Sequence, residues 1–152
     1  MDFEQLKGKG RIVLAGGTFD IIHPGHIYFL KKAKELGDYL VVVVARDSTV
    51  KRLKRTPIIP ENQRLDVIRS LKPVDFAVLG RENEDFIEIV KEIRPDVIVL
   101  GPNQIHDVSE FRAKIEKAGL NTEIKRLDEL KKNPLYSTKQ IIKKIRESQT
   151  DC

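Results

Sequence analysis

Five short apolar runs punctuate the chain: Arg11–Ala15 (RIVLA), Tyr39–Ala45 (YLVVVVA), Asp75–Leu79 (DFAVL), Asp96–Leu100 (DVIVL) and Thr122–Leu127 (TEIKRL). The first four are β-branched and do not alternate with polar residues, the pattern of strands covered on both faces in a parallel sheet. Between the runs, apolar positions shift to helical spacing. Ile27, Leu30, Ala33 and Leu36 recur every third residue before Gly37, and Phe86, Ile89, Val90 and Ile93 mark one face of a second segment. Val108, Phe111, Ile115 and Ala118 do the same before Gly119, and Pro60-Glu61 opens a segment carrying Leu65, Ile68 and Leu71. Ser137 stands three residues before Gln140, a capping-box pattern ahead of Ile141, Ile142 and Ile145. The order β-α-β-α-β-α-β-α-β-α predicts a single α/β domain over residues 11–146. Its architecture is a three-layer, doubly wound (Rossmann-like), five-stranded parallel sheet. Residues 1–10 read as a polar lead-in and 147–152 as a fraying tail. Two units, KPVDFAVLG and RPDVIVLG, repeat a grammar of Pro, Asp, apolar strand and closing Gly.

Composition narrows the class. At 152 residues with 40% hydrophobic side chains, the chain can bury one core without a disulfide or metal staple. No apolar run approaches the roughly 18 residues of a membrane span. Acidic Asp2 and Glu4 and the missing apolar h-region give no secretory signal, and the single Cys152 closes no internal disulfide. A cytoplasmic location with no membrane partner is expected. The net charge of +5 is uneven: residues 46–55 hold five basic and one acidic side chains, and residues 125–146 hold eight and two. The rest of the chain is therefore acidic. Two basic segments on an acidic body suit a compact polyanion such as a nucleoside triphosphate, the alternative being a solvated lysine-rich face.

Doubly wound sheets bind ligands beyond the carboxyl ends of their strands. The first strand ends there in Gly16-Gly17-Thr18-Phe19-Asp20-Ile21-Ile22-His23-Pro24-Gly25-His26. Pro24 suits a first helical turn, Gly25 leaves room for an anion, and His23 and His26 stand together beside the N–H groups of a helix start. The glycine spacing is not the dinucleotide fingerprint, and no Gly-Lys-Ser/Thr ending makes it a P-loop. A zinc site is a weak alternative, since the only other His is His106 and Cys152 is far away in sequence; no protein-held metal is expected. Asp20 either orients a histidine or caps the turn.

GGTFDIIHPGH resembles the HxGH signature of the nucleotidyltransferase superfamily, in its cytidylyltransferase-like branch, and the similarity runs from Arg11 to about Ile145. The resemblance implies transfer of a nucleoside monophosphate from a triphosphate to a phosphorylated acceptor, with release of pyrophosphate. It implies that His23 and His26 bind the triphosphate and stabilise the transition state. Gly17, Thr18, Phe19, Pro24 and Gly25 would help form the nucleotide pocket. Lys51 and Lys54 are the candidates for a mobile basic loop that closes over phosphates, against the alternative of a solubilising loop. Arg64 in PENQR would neutralise charge in the transition state, or else pair with Glu61 or Asp66. Asn103 would contact base or ribose, or cap the helix near Asp107, and His106 reads as a surface residue. Tyr136, Ser137 and Thr138 would hold triphosphate oxygens at the last helix start. Mg²⁺ or another divalent cation would be held mainly by substrate phosphates.

Within that family, the series GGTFDIIHPGH, VVVVARDSTVKRLK, IIPENQR, LKPVDFAVLG and DVIVLGPNQ is most similar to archaeal-type members that adenylylate FMN. The expected partners are ATP (or CTP) and FMN, in a possible homodimer. The alternative is a cytidylyltransferase for glycerol 3-phosphate. Members of that group carry Arg-Thr-x-Gly-Ile-Ser-Thr-Thr where this chain reads Lys132-Asn133-Pro134-Leu135-Tyr136-Ser137-Thr138. A non-catalytic nucleotide-binding module is the next reading. Nucleic acid is not an expected partner, because the basic segments lack interleaved aromatics and a recognition helix.

Overall fold

Strands form where the apolar runs stand. In the computed structural model, which describes residues 3–53, 55–82, 85–102, 104–105, 107–128 and 134–149, they are β1 (Ile12–Gly17), β2 (Tyr39–Val44), β3 (Phe76–Leu79), β4 (Val97–Leu100) and β5 (Glu123–Arg126). All pair in parallel, in the order β3-β2-β1-β4-β5. The order reverses between β1 and β4, which makes their carboxyl ends the switch point of a doubly wound sheet. The connecting helices are α1 (Pro24–Lys34), α2 (Asp47–Arg52), α3 (Glu61–Arg69), α4 (Phe86–Ile93) and α5 (Val108–Lys117), with α6 (Thr138–Ser148) following β5.

Alternate strand residues face opposite layers, and the core divides accordingly. Leu14, Val41, Val43 and Ile98 pack with Ile89, Val90 and Ile93 of α4 and Phe111 and Ile115 of α5. Val13, Ala15, Val42 and Val99 pack on the other face with Leu30 and Ala33 of α1 and Leu65 and Ile68 of α3. Every residue of β4 is buried, whereas edge strand β5 buries none. Two-sided cover explains why the inner strands read as continuous apolar runs.

The repeated Pro/Asp grammar has a physical cause. Asp75 donates its backbone N–H to the Leu40 carbonyl (3.0 Å) and accepts the Leu40 N–H on Oδ2 (2.7 Å). Asp96 does the same with Ile12 (2.9 and 2.7 Å). Each aspartate therefore opens its own strand by clamping a residue at the start of the neighbouring one.

Two expectations change. The 46–55 segment is not a loop throughout: Asp47–Arg52 is helical, anchored by Val50, which is 2% exposed. The N-terminal lead-in is not wholly polar either, since a 3₁₀ turn at Phe3–Leu6 buries Leu6 against the α4 face.

Candidate active site

The segment after β1 turns sharply because Phe19 adopts a left-handed backbone (φ 52°). That conformation is uncommon for a non-glycine residue and is held by its surroundings. It drives the Phe19 ring into the core, 4% exposed, under Gly17, where an added Cβ would lie 2.9 Å from the ring. Phe19 is thus no wall of an open pocket, as expected from sequence, but a buried support behind His26, whose ring centroid is 5.7 Å away.

His23 is the N-cap of α1. Its Nδ1 accepts from the Gly25 N–H (3.0 Å), while His26 Nδ1 accepts from the His23 N–H (3.3 Å). The two imidazoles form a reciprocal capping box with ring centroids 3.9 Å apart. The sequence suggested histidines beside unoccupied helix N–H groups, but Gly25 N–H is capped by His23 and His26 N–H bonds the His23 carbonyl. With both Nδ1 atoms accepting, each neutral ring carries its proton on Nε2, the atom able to donate to a phosphate oxygen. Burial, with the neighbouring His23 charge as the smaller cause, pushes His26 down to about 3. His26 is therefore a neutral donor at neutral pH.

The start of α6 packs onto this turn. A Cβ at Gly25 would lie 2.7 Å from the Tyr136 carbonyl oxygen, so only glycine permits the approach. Thr138 Oγ1 donates to the Ile21 carbonyl (3.4 Å). Ser137 Oγ accepts the Gln140 N–H (3.3 Å), and Gln140 Oε1 accepts the Tyr136 N–H (3.0 Å). The Ser137–Gln140 cap is as the spacing predicts, and it brings a second helix N-terminus beside His23 and His26.

Arg64 departs from expectation. Its side chain is fully buried. Nε donates to the Ile59 carbonyl (2.8 Å), Nη1 to the carbonyls of Thr18 and Ala45 (both 2.7 Å), and Nη2 to Asp47 Oδ1 (2.7 Å). The guanidinium joins the exits of β1 and β2 to α2 and the 56–60 segment, so it supports the site from within instead of reaching phosphates from its surface. Its ionic partner is Asp47, neither Glu61 nor Asp66. Burial would raise the Asp47 carboxyl, but the Arg64 hydrogen bond, the Glu61 N–H and the charges of Arg64 and Lys51 outweigh it and hold it below the usual range. Glu61 pairs with Arg46 (3.3 Å) and accepts the Asp47 N–H (3.0 Å). Asp20 accepts the N–H groups of Ile58 and Ile59 (both 2.8 Å), pinning the same segment beneath the turn and orienting neither histidine. Lys51 is exposed on α2.

Two functional candidates were missed by sequence reasoning, Gln104 and Arg126, which hold the loop after β4 at the switch point. Gln104 closes the DVIVLGPNQ string and Arg126 lies in the TEIKRL run, but neither string shows their role, and only the folded sheet brings Arg126 to that loop. Lys54, Asn103, His106 and Cys152 lie outside the described residues. Among the described residues no group of three or more His, Cys, Asp or Glu could hold a metal ion, and no helix is long and apolar enough to cross a membrane.

Comparison with known proteins adds chemistry to this geometry. A family model described as cytidylyltransferase-like matches residues 14–144. The chain is 51% identical over 152 residues to the FAD synthase of Methanothermobacter marburgensis, covering 98% of this chain and 94% of that one. It is 52% identical over 144 residues to the FAD synthase of Methanothermobacter thermautotrophicus, covering 93% and 95%. The crystal structure of the lipopolysaccharide core biosynthesis protein from Thermoplasma volcanium superposes with a TM-score of 0.77 at 48% identity, over 80% of this chain and 98% of that one.

Proposed function

The chain belongs to the cytidylyltransferase-like family, and we propose that within it this protein is an FAD synthase, transferring AMP from ATP to FMN to give FAD and pyrophosphate. The carrying observation is identity of about half to FAD synthases over nearly the whole of both chains. The imidazole capping box at the strand–helix turn supports the reaction type.

In this reading an FMN phosphate oxygen attacks the α-phosphorus of ATP in line. A new P–O bond forms, the bond from the α-phosphorus to the bridging oxygen breaks, and its electron pair leaves with pyrophosphate. The acceptor supplies the nucleophile, so the protein contributes positioning and charge stabilisation. His23 and His26 donate from Nε2 to phosphate oxygens, and neutral donors aimed at developing charge need no proton transfer of their own. Tyr136, Ser137 and Thr138 bring the α6 terminus to the same phosphates. Gly17, Thr18, Pro24 and Gly25 line the nucleotide side, with Lys51 at the periphery. Phe19 and Arg64 act through other groups. Mg²⁺ would arrive on the triphosphate and would neutralise phosphate charge. The reading includes a cytoplasmic, homodimeric enzyme, the second point checked by light scattering.

The test is pyrophosphate release by purified protein with Mg²⁺, pairing ATP or CTP with FMN or glycerol 3-phosphate. Turnover with ATP and FMN is expected. Turnover confined to CTP and glycerol 3-phosphate would reject the assignment.

A further inference from the structure

Arg126 stands on the exposed edge strand β5, yet its guanidinium is engaged by the described residues of the loop after β4. Nη1 donates to the carbonyls of Gly101 (2.8 Å), Pro102 (3.2 Å) and Gln104 (2.7 Å), and Nη2 to that of Ile105 (2.6 Å). Gln104 ties the same loop to β1: Nε2 donates to the Gly16 carbonyl (2.7 Å) and Oε1 accepts the Gly101 N–H (2.8 Å). Ile105 has a left-handed backbone (φ 46°), a conformation that β-branched residues avoid unless the surroundings impose it. The carbonyl of that same residue receives Nη2. Four carbonyls of the described residues converging on one cation orient those four groups together. An ordinary edge-strand arginine, solvated and free to move, would impose no such order.

The position gives this order a purpose. The loop bridges β1 and β4 at the switch point, where doubly wound sheets receive a nucleoside. Its anchor, Gly16, is two residues before Thr18 in the turn that leads to His23. We infer that Arg126 and Gln104 are positioning residues for the nucleoside half of ATP: they fix the loop against which base and ribose dock, and neither acts on the phosphates. The inference rests on the reading of ATP as donor, and it goes beyond that reading by assigning a positioning role to two residues outside the phosphate site.

The experiment compares wild type with Arg126→Ala, Arg126→Lys and Gln104→Glu. ATP affinity is measured by calorimetry with Mg²⁺, and both KM values and kcat by pyrophosphate release. Arg126→Ala should weaken ATP binding and raise its KM by at least about tenfold, the loss expected when charge-assisted bonds disappear. The KM for FMN and kcat at saturating ATP should stay within about twofold. Arg126→Lys should recover part of the loss, since one ammonium reaches fewer carbonyls. Gln104→Glu, unable to donate to Gly16, should act in the same direction as Arg126→Ala. Unchanged ATP affinity in folded Arg126→Ala would overturn the inference, as would an equal rise in both KM values or a fall in kcat alone. If wild type binds ATP but forms no FAD, the proposed reaction falls, while the ATP affinities of the variants still decide this point.

Discussion

Arg64→Met replaces a buried guanidinium with an apolar side chain of comparable length, so it tests the support of the site with little cavity formation. It removes an ion pair of 2.7 Å to Asp47 and leaves the carbonyls of Thr18, Ala45 and Ile59 without their donor. A buried polar group left unpaired costs roughly 1–3 kcal/mol, and breaking a buried ion pair from one side costs about 3–5 kcal/mol. The Asp47 side chain keeps 28% exposure and can regain water, and losses within one hydrogen-bond network do not add, which places the total at about 4 kcal/mol, below their simple sum. For a chain of this size that corresponds to a fall in Tm of roughly 8–16 °C. A pH signature accompanies it. The Asp47 carboxyl is depressed below 3.8 in the folded protein, so the unfolded chain binds the proton first. The stabilisation is present above that value and is lost as pH falls through the folded value. Urea unfolding followed by circular dichroism at neutral and acid pH reads both effects. Arg64→Met should lose stability at neutral pH and show a shallower acid dependence, with Arg64→Lys intermediate. A variant within about 1 kcal/mol of wild type at neutral pH would refute the reasoning. So would undiminished stability with lost turnover, the outcome expected of a residue that contacts phosphate directly.

His26→Asn should lower turnover by about a hundredfold or more, the effect of removing one donor to a transition-state oxyanion, measured as pyrophosphate release. It should also flatten stability against pH: in wild type the unfolded chain protonates this imidazole below 6.5 whereas the folded protein resists until about 3, so stability is full above 6.5 and declines below it. Urea midpoints at pH 7.5 and 5 compare the two proteins. Gly25→Ala tests the packing of α6 on the turn, because its Cβ meets the Tyr136 carbonyl at 2.7 Å and the His23 ring at 2.8 Å. Its kcat/KM for ATP should fall at least about tenfold and its Tm should fall as well, and full turnover at unchanged Tm would contradict that packing. Ser137→Ala should cost about 1 kcal/mol in urea unfolding through the lost cap, with a higher KM for ATP.

The legible part of the molecule is the part governed by local chemistry. β2 and β4 are apolar because both faces are covered, His23-Pro24-Gly25-His26 is a helix start by composition, and Ser137 with Gln140 is a cap by spacing. Helix α2 was hidden because its anchor is one apolar residue, Val50, inside a charged run that reads as loop. Arg64 was placed near the site correctly in space but not in role. A sequence shows that an arginine follows a helix start; it does not show which carbonyls converge on it. Gln104 and Arg126 were missed for the same reason, their partners being backbone atoms, which carry no sequence signal.

That shared property explains the distribution of charge. The carboxyl ends of parallel strands present carbonyl oxygens, a rim that repels a triphosphate. Arg64 covers the carbonyls of Thr18 and Ala45 beyond β1 and β2, Arg46 donates to that of Gly80 beyond β3 (2.7 Å), and Arg126 to that of Gly101 beyond β4 (2.8 Å). Each arginine is itself partly or wholly engaged by acid or carbonyl groups and is therefore a fixed part of the rim. Arg46 and Arg126, which belong to the two basic segments, and Arg64, which lies between them, thus serve to cancel the negative edge of the sheet instead of being offered directly to phosphate. With its carbonyls engaged the rim opposes a triphosphate less, so in the proposed transfer a donor that carries no charge of its own, the neutral His26 imidazole, can hold a phosphate oxygen there.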